Sequence, residues 1–247
     1  MIVYGLIGYP LGHSGSAAIF REIFKSGNLY DRDYRLYPIK DPQMVRSLAE
    51  AHPGLNGLNV TIPYKETIIP FLDELDPVAA SIGAVNTIQI IRKKKGVFLK
   101  GFNTDAEGFS GSADFSGFSS ALLLGTGGAA KAVAFALHEK GIKVLSVSRT
   151  LRKPGIISYK DLDPSILNQY HLIINATPCG MFPDDGSCPP LRFETLTPDH
   201  FLYDLVYNPE FTLFLEKGKE MGCRVQNGMN MLKKQAELSY LIWRGLN

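Results

Sequence analysis

The sequence predicts an α/β protein of two lobes: an N-terminal, mostly parallel α/β lobe and a doubly wound dinucleotide-binding lobe. Three observations carry that reading. Strand-like and helix-like segments alternate along nearly all of the 247 residues, the pattern of a parallel sheet covered by helices. A glycine-rich turn, Gly125-Thr126-Gly127-Gly128-Ala129-Ala130, follows an apolar strand signal and opens a helix signal. Before it, across residues 106–119, the composition shifts to Gly, Ser and other small residues, which marks a domain junction.

The elements follow in order. Residues 2–8 read as a buried strand, and residues 16–25 as a helix with Ile19, Phe20, Ile23 and Phe24 on one face. Residues 33–39 form a second strand, 42–52 a second helix and 58–62 a third strand. After Pro63, residues 65–75 read as helical, with Pro70 limiting their regularity. Residues 85–91 and 97–102 form a β-hairpin around Arg92-Lys93-Lys94-Lys95. Beyond the junction come a strand at 121–125, a helix at 129–140 and a strand at 143–148. The crossover after it is short or irregular, since Lys153-Pro154-Gly155 interrupts residues 149–161. Residues 171–176 and 201–206 are further buried strands. Residues 229–246 close the chain as an amphipathic helix carrying Met231, Leu232, Leu238, Leu241 and Ile242.

Composition narrows the function. With 45% hydrophobic and 20% charged residues the chain can bury a core, so disorder is excluded. Lys+Arg of 26 against Asp+Glu of 24 gives a net charge of +2, without the basic face of a nucleic-acid binder. The four cations at 92–95 read as a solvated turn. Cys179, Cys188 and Cys223 are odd in number and lack metal-type spacing, which predicts reduced thiols in a cytoplasmic protein. Residues 1–8 lack a basic flank and break at Gly5 and Gly8, so they read as a strand and not a signal peptide. No apolar run of about 18 residues predicts a membrane span, and no His, Cys and carboxylate cluster suggests a metal. His13 reads as a structural residue, His52, His138 and His200 as solvent-facing, and Trp243 as core.

The Gly125 turn satisfies the G-x-G-x-x-G/A pattern, with Ala130 at the close-packing third position. Gly125 permits the tight turn, Gly127 lets the backbone approach a pyrophosphate, and the N–H groups at Gly128 and Ala129 open the helix toward the anion. An NAD site expects Asp or Glu at the end of the next strand. Here that strand ends Ser148-Arg149-Thr150, with Arg152 and Lys153 beyond. A guanidinium can grip a 2′-phosphate bidentately, so NADP is preferred over NAD.

The first lobe carries the polar residues of a substrate site. Ser14 and Ser16 sit two apart in a Gly-rich loop, outside any G-x-S-x-G elbow. Asn59 and Thr61 share one strand face by period two. Lys65 falls at the start of the expected helix, where the dipole disfavours a cation and a lowered ammonium pKa would suit proton transfer; an ordinary exposed lysine is the alternative. Asn86-Thr87 opens one hairpin strand, and Gly101-Phe102-Asn103-Thr104-Asp105 ends the other. Asp105 either pairs with Lys65 or caps the following segment.

At this point the chain resembles the shikimate dehydrogenases over essentially its whole length. The resembling segments are Gly8-Tyr-Pro-Leu-Gly-His13-Ser14-Gly-Ser16, Asn59-Val-Thr61-Ile-Pro-Tyr-Lys65, Ala84-Val-Asn86-Thr87, Gly101-Phe-Asn-Thr-Asp105-Ala-Glu-Gly108, the Gly125 turn, Ile174-Asn-Ala-Thr177, Tyr203-Asp-Leu-Val-Tyr207-Asn-Pro209 and Asn227-Gly228-Met-Asn-Met231-Leu-Lys-Lys-Gln235-Ala236. The resemblance implies that Lys65 and Asp105 are the catalytic pair and that Ser14, Ser16, Asn59, Thr61, Asn86, Tyr207 and Gln235 contact substrate. It implies that Ser148, Arg149 and Thr150 hold the adenosine phosphate of NADP(H), with Thr177, Gly228 and Met231 on the nicotinamide side. It also implies that the C-terminal helix returns to the first lobe, giving a substrate domain of 1–105 and 229–247 and an NADP-binding, Rossmann-type domain of 106–228.

The implied activity is reversible reduction of 3-dehydroshikimate to shikimate with NADPH, a step toward chorismate and the aromatic amino acids, in a monomer or homodimer. A quinate/shikimate dehydrogenase using NAD(P) and a silent shikimate- or NADP-binding paralogue are the competing implications. Two departures border the adenosine end and bear on the choice between NADP and NAD. Ser148 stands where such families commonly carry Asn, and the segment after Thr150 is short.

Overall fold

The computed structural model describes residues 1–12, 15–94, 96–150 and 154–246. His13, Ser14, Lys95, Arg152 and Lys153, all named above, lie outside the described residues. The chain divides into two units, Met1–Gly108 with Leu232–Asn247, and Phe109–Met231.

The first unit is built on β1 (Ile2–Gly8), α1 (Ser16–Ser26), β2 (Arg32–Pro38), α2 (Val45–Ala51), β3 (Leu55–Val60), β4 (Glu74–Leu75), α3 (Pro77–Ile82), β5 (Thr87–Lys93), β6 (Gly96–Phe102) and α4 (Asp105–Ser110), which runs across its boundary. Its six-stranded sheet has the order β2-β1-β3-β5-β6-β4. β1 runs parallel to β2 and β3, and β4 parallel to β6, whereas the expected hairpin β5–β6 runs antiparallel to β3 and to itself. Leu55, Leu58, Ile68, Ile88 and Leu99 are fully buried in its core. Burying one Leu or Ile side chain is worth about 1.5–3 kcal/mol, so these few residues anchor the sheet.

The second unit holds β7 (Ser120–Leu124), α5 (Gly128–Glu139), β8 (Lys143–Val147), β9 (Ile156–Ile157), α6 (Pro164–Leu167), β10 (Leu172–Asn175), β11 (Phe201–Asp204), α7 (Leu213–Glu220) and β12 (Arg224–Gln226); α8 (Met229–Trp243) leads back to the first unit. Its sheet is parallel throughout, in the order β12-β11-β10-β7-β8-β9. The strands are short apolar runs buried on both faces, as a parallel sheet under helices requires. Between β8 and β10 the described helical segments are a 3₁₀ turn at Tyr159–Asp161 and the four-residue α6, in line with the irregular crossover read from Pro154-Gly155.

The structure departs from the expectations at several places. Residues 65–75 are not a helix: they form turns, the 3₁₀ segment Ile69–Phe71 and then β4. Pro70 lacks an N–H and clashes with the preceding turn, which ends helical propagation before it starts. Helix α3 was not foreseen, although Asp76 caps it through Val78 N, Pro77 occupies its first position and Gly83 closes it at φ +69°. Arg92 is exposed, as expected of the basic run, but it stands in β5 rather than in a turn. Its Nη2 donates to Ala49 O (3.1 Å), His52 O (2.7 Å) and Leu55 O (3.1 Å), tying the end of α2 to the hairpin. His200 is also buried rather than solvent-facing, with Nδ1 accepting from Thr197 N and Nε2 beside Leu167 O.

Arg92→Ala removes a side chain that bonds three carbonyls between the end of α2 and the start of β3. Urea unfolding is expected to register a loss of about 1–2 kcal/mol. A midpoint equal to that of the wild type would mean that these bonds add nothing to stability.

Candidate active site

Sheet register assembles the polar site of the first unit. Asn59, near the end of β3, pairs with Thr87 at the start of β5, and Thr87 pairs with Phe102 at the end of β6. Asn59, Asn86-Thr87 and Asn103-Thr104-Asp105 therefore lie in one row across the sheet. Gly8, at the end of β1, stands beside the row. A Cβ there would lie 2.5 Å from Thr61 Cγ2, so the position has room for glycine alone. Thr61, half-buried just past β3, is held through its N–H to Ile7 O at 3.0 Å, and Ser16 is buried at the start of α1.

Asn86 is the hub of the row. Its Nδ2 donates to Thr104 Oγ1 (2.9 Å), Asp105 Oδ1 (2.8 Å) and Gln235 Oε1 (3.3 Å). Its Oδ1 accepts from Thr104 N at 2.8 Å and from Thr87 Oγ1 at 3.0 Å. Asp105 completes the arrangement by accepting from Lys65 Nζ at 2.6 Å through Oδ2. The pair is largely withdrawn from water, the Lys65 side chain 17% exposed and that of Asp105 5%. Both alternatives for Asp105 are thereby decided: it pairs with Lys65, and Asn103 Oδ1 serves the helix end by accepting from Asp105 N and Ala106 N. Lys65 itself stands in a turn, its O accepting from Val85 N at 2.7 Å, so the helix-dipole argument for it lapses.

Asn59 turns its amide inward. Oδ1 accepts from Tyr34 Oη (2.9 Å), and Nδ2 donates to Ser239 Oγ (2.9 Å) and Thr87 Oγ1 (3.2 Å). Tyr34, Thr104 and Ser239 were missed by sequence reasoning. Ser239 had a signal: it lies four residues beyond Gln235 on α8, hence on the same face, and Trp243 follows four residues later. Trp243 donates from Nε1 to Ile88 O at 2.9 Å and stacks on Tyr4 with ring centroids 4.6 Å apart.

The second unit places its glycine turn between β7 and α5. Gly125 has φ +110°, a conformation that favours glycine, and an added Cβ would meet Ala176 O at 3.0 Å. Gly127 caps α5 with no side chain on its N–H groups, and no heavy atom lies within 4 Å of a Cβ built there. Gly128 and Ala129 are half-buried and Ala130 is buried. A cradle of bare N–H groups facing open space suits a pyrophosphate, so the residues present fit a dinucleotide. Past β8, Ser148 Oγ accepts from Thr150 N at 3.2 Å, and Arg149 is exposed.

A second polar cluster lies at the ends of β10 and β11. Asp204 is fully buried; it accepts from Asn175 Nδ2 (2.9 Å), Val206 N (3.0 Å) and Thr212 Oγ1 (2.6 Å). Asn175 Oδ1 in turn accepts from Thr177 N at 3.0 Å and Thr177 Oγ1 at 2.6 Å. Val206 O accepts from Gly228 N at 3.1 Å. Burial pushes the Asp204 carboxyl up to about 7, against the lowering effect of its three donors. Tyr207, half-buried, and Met231, buried, belong to this unit as well. Among the described residues no helix is long and apolar enough to cross a membrane.

Residues 6–88 match the family of shikimate dehydrogenase substrate binding domains. The chain is 39% identical to the shikimate dehydrogenase (NADP(+)) of Carboxydothermus hydrogenoformans, over 98% of this chain and 91% of that one. Its fold is similar to the crystal structure of shikimate 5-dehydrogenase from Thermus thermophilus in complex with NADP(H) and shikimate. That match has a TM-score of 0.84 and 33% identity, over 100% of this chain and 94% of the other. It is also similar to quinate dehydrogenase from Corynebacterium glutamicum in complex with NAD, with a TM-score of 0.83 and 27% identity over 99% and 94% of the two chains.

The raised carboxyl of Asp204 has a consequence for stability. Between an unfolded-state pKa of about 3.9 and about 7 the native state holds the proton that the unfolded state has lost. That contribution is full below about pH 4, declines as pH rises and is gone above about 7. Asp204→Asn cannot ionise, so its stability relative to the wild type is expected to rise from pH 5 to 7 by roughly 1 kcal/mol per pH unit. Urea unfolding at pH 5, 6, 7 and 8 measures it, and a constant difference would mean that Asp204 titrates normally.

Proposed function

The chain belongs to the shikimate dehydrogenase family, and from that premise we propose that it reduces 3-dehydroshikimate reversibly to shikimate with NADPH. The observation that carries the reading is the Lys65–Asp105 pair, held at 2.6 Å inside a buried amide and hydroxyl network. When bound, NADPH supplies hydride to the ketone carbon. Lys65 gives the proton that turns the carbonyl oxygen into a hydroxyl, and takes it back in the reverse direction. Asp105 holds the ammonium in place, and Asn86 holds Asp105. Ser14 and Ser16 take the substrate carboxylate, while Asn59, Thr61, Asn86, Asp105, Tyr207 and Gln235 read its polar groups. A site that pairs substrate hydroxyls with buried partners rejects analogues lacking them, because those partners are left unpaired.

Gly125, Gly127, Gly128, Ala129 and Ala130 would receive the pyrophosphate, and Ser148, Arg149 and Thr150 the adenosine phosphate. Thr177, Gly228 and Met231 would take the nicotinamide side. Substrate domain 1–105 with 229–247 and cofactor domain 106–228 are the corresponding division of labour. Oxidation of quinate with NAD is the second reading, favoured by the similarity to a quinate dehydrogenase and opposed by the exposed guanidinium at Arg149. A silent binding protein has no chemical use for Lys65 joined to Asp105.

Lys65→Ala is expected to lower kcat by about 10²–10⁴-fold while leaving the KM for shikimate within severalfold of the wild type. Near-normal turnover in a folded variant removes Lys65 from proton transfer. Arg149→Ala is expected to raise the KM for NADPH by about tenfold or more, the loss of one charge-assisted contact, with little change for NADH. Assays of both cofactors with 3-dehydroshikimate and 3-dehydroquinate check it. Equal use of NADH, or turnover of 3-dehydroquinate, would favour the quinate reading.

A further inference from the structure

Sheet order fixes where each half of a dinucleotide can lie on the second unit. Ligands of an open parallel sheet bind beyond the C-terminal ends of its strands. The glycine turn follows β7, and Arg149 follows β8, which pairs with one side of β7. An adenosine phosphate on Arg149 therefore sends the other half of the molecule to the opposite side, over the ends of β10 and β11. Those two strands end on Asn175 and Asp204. The path is continuous, because a Cβ on Gly125 would lie 3.2 Å from Thr177 Cγ2.

Three loop ends there hang on one carboxylate. Asp204 accepts from Asn175, which carries Thr177; from Val206 N, whose residue holds Gly228; and from Thr212, which caps α7 through Leu215 N. Gly228 is wedged against this loop, since a Cβ on it would stand 2.2 Å from Leu205 O. We propose that Asp204 is a positioning residue for the nicotinamide half of the cofactor, acting through Asn175–Thr177 and Val206–Gly228. The inference rests on the cofactor reading above. An acid suits the place because three donors converge on two oxygens that receive no solvent.

The test compares two probes in the absence of substrate: NADPH, followed by its fluorescence, and adenosine 2′,5′-bisphosphate, followed by calorimetry. Asp204→Ala is expected to weaken NADPH at least tenfold and the bisphosphate less than twofold. Asp204→Asn is expected to restore NADPH binding to within about threefold, since an amide oxygen can serve Asn175 and Val206 while its NH₂ faces the Thr212 hydroxyl. If Asp204→Ala does not fold, Asn175→Ala cuts the same link and carries the same comparison. Equal weakening of both probes would mean a general loosening of the unit and would overturn the proposal, as would unchanged NADPH binding. A wild-type protein that binds neither probe overturns the cofactor reading and this inference with it; one that binds both confines any failure to Asp204.

Discussion

Asn86 has every hydrogen-bonding position of its side chain occupied, and the geometry of the first unit's site depends on it. Its amide reaches the carboxylate of Asp105, the hydroxyl of Thr104 and the amide of Gln235. It thereby joins the end of β6, the start of α4 and the face of α8. The sheet makes this possible before any side chain is considered. Antiparallel pairing of β3 with β5 and of β5 with β6 fixes which residues stand in the row, and a slip of one position would turn the polar side chains to the opposite face. A hydrophobic core supplies the stability; the polar row supplies a single arrangement of it. Such a network is favourable only when fully satisfied, since each orphaned buried donor costs about 1–3 kcal/mol.

The second unit meets the same requirement differently. Its strands are all parallel and end together, so donors from three connecting segments converge on one edge. A neutral amide offers one oxygen; a carboxylate offers two. Asp204 accordingly satisfies Asn175, Val206 and Thr212 at once, and its raised pKa reflects how little water reaches it. Asn86 and Asp204 are thus counterparts: each locks irregular backbone at a strand end, where loop freedom would otherwise blur the position of a reacting group.

The legible parts of this fold were those with local signals. The strands at residues 2–8 and 121–125, the hairpin and the last helix follow from periodicity and turn residues within short windows, and structure agrees closely with them. The glycine turn was readable from its own residues, whereas the residues alone left Asp105 between pairing with Lys65 and capping the next segment, and the pair came from the family resemblance. What escaped notice was set by distance along the chain. Ser239 meets Asn59 across 180 positions, and Gln235 meets Asn86 across 149, which no window contains. The acceptors of Arg92 were missed for the same reason, since they lie about 40 residues away. The helix expected at 65–75 failed locally instead, where Pro63 and Pro70 outweighed the apolar spacing.

Burial of Lys65 with Asp105 places two opposite charges where either alone would be expensive. As a pair they are nearly neutral, and a contact of 2.6 Å in low dielectric offsets much of the desolvation. The offset is incomplete without Asn86, which takes the second oxygen of Asp105 and leaves Oδ2 for the ammonium. In the proposed reaction this arrangement would fix the direction in which Lys65 lends a proton: the lysine is anchored on the carboxylate side, and its remaining N–H bonds are directed elsewhere. An ammonium left free to rotate through solvent would be available in many directions and well placed in few. The proton transfer proposed for Lys65 is therefore inseparable from the neutral network behind it, and in that proposal it belongs to the row across the sheet rather than to one residue.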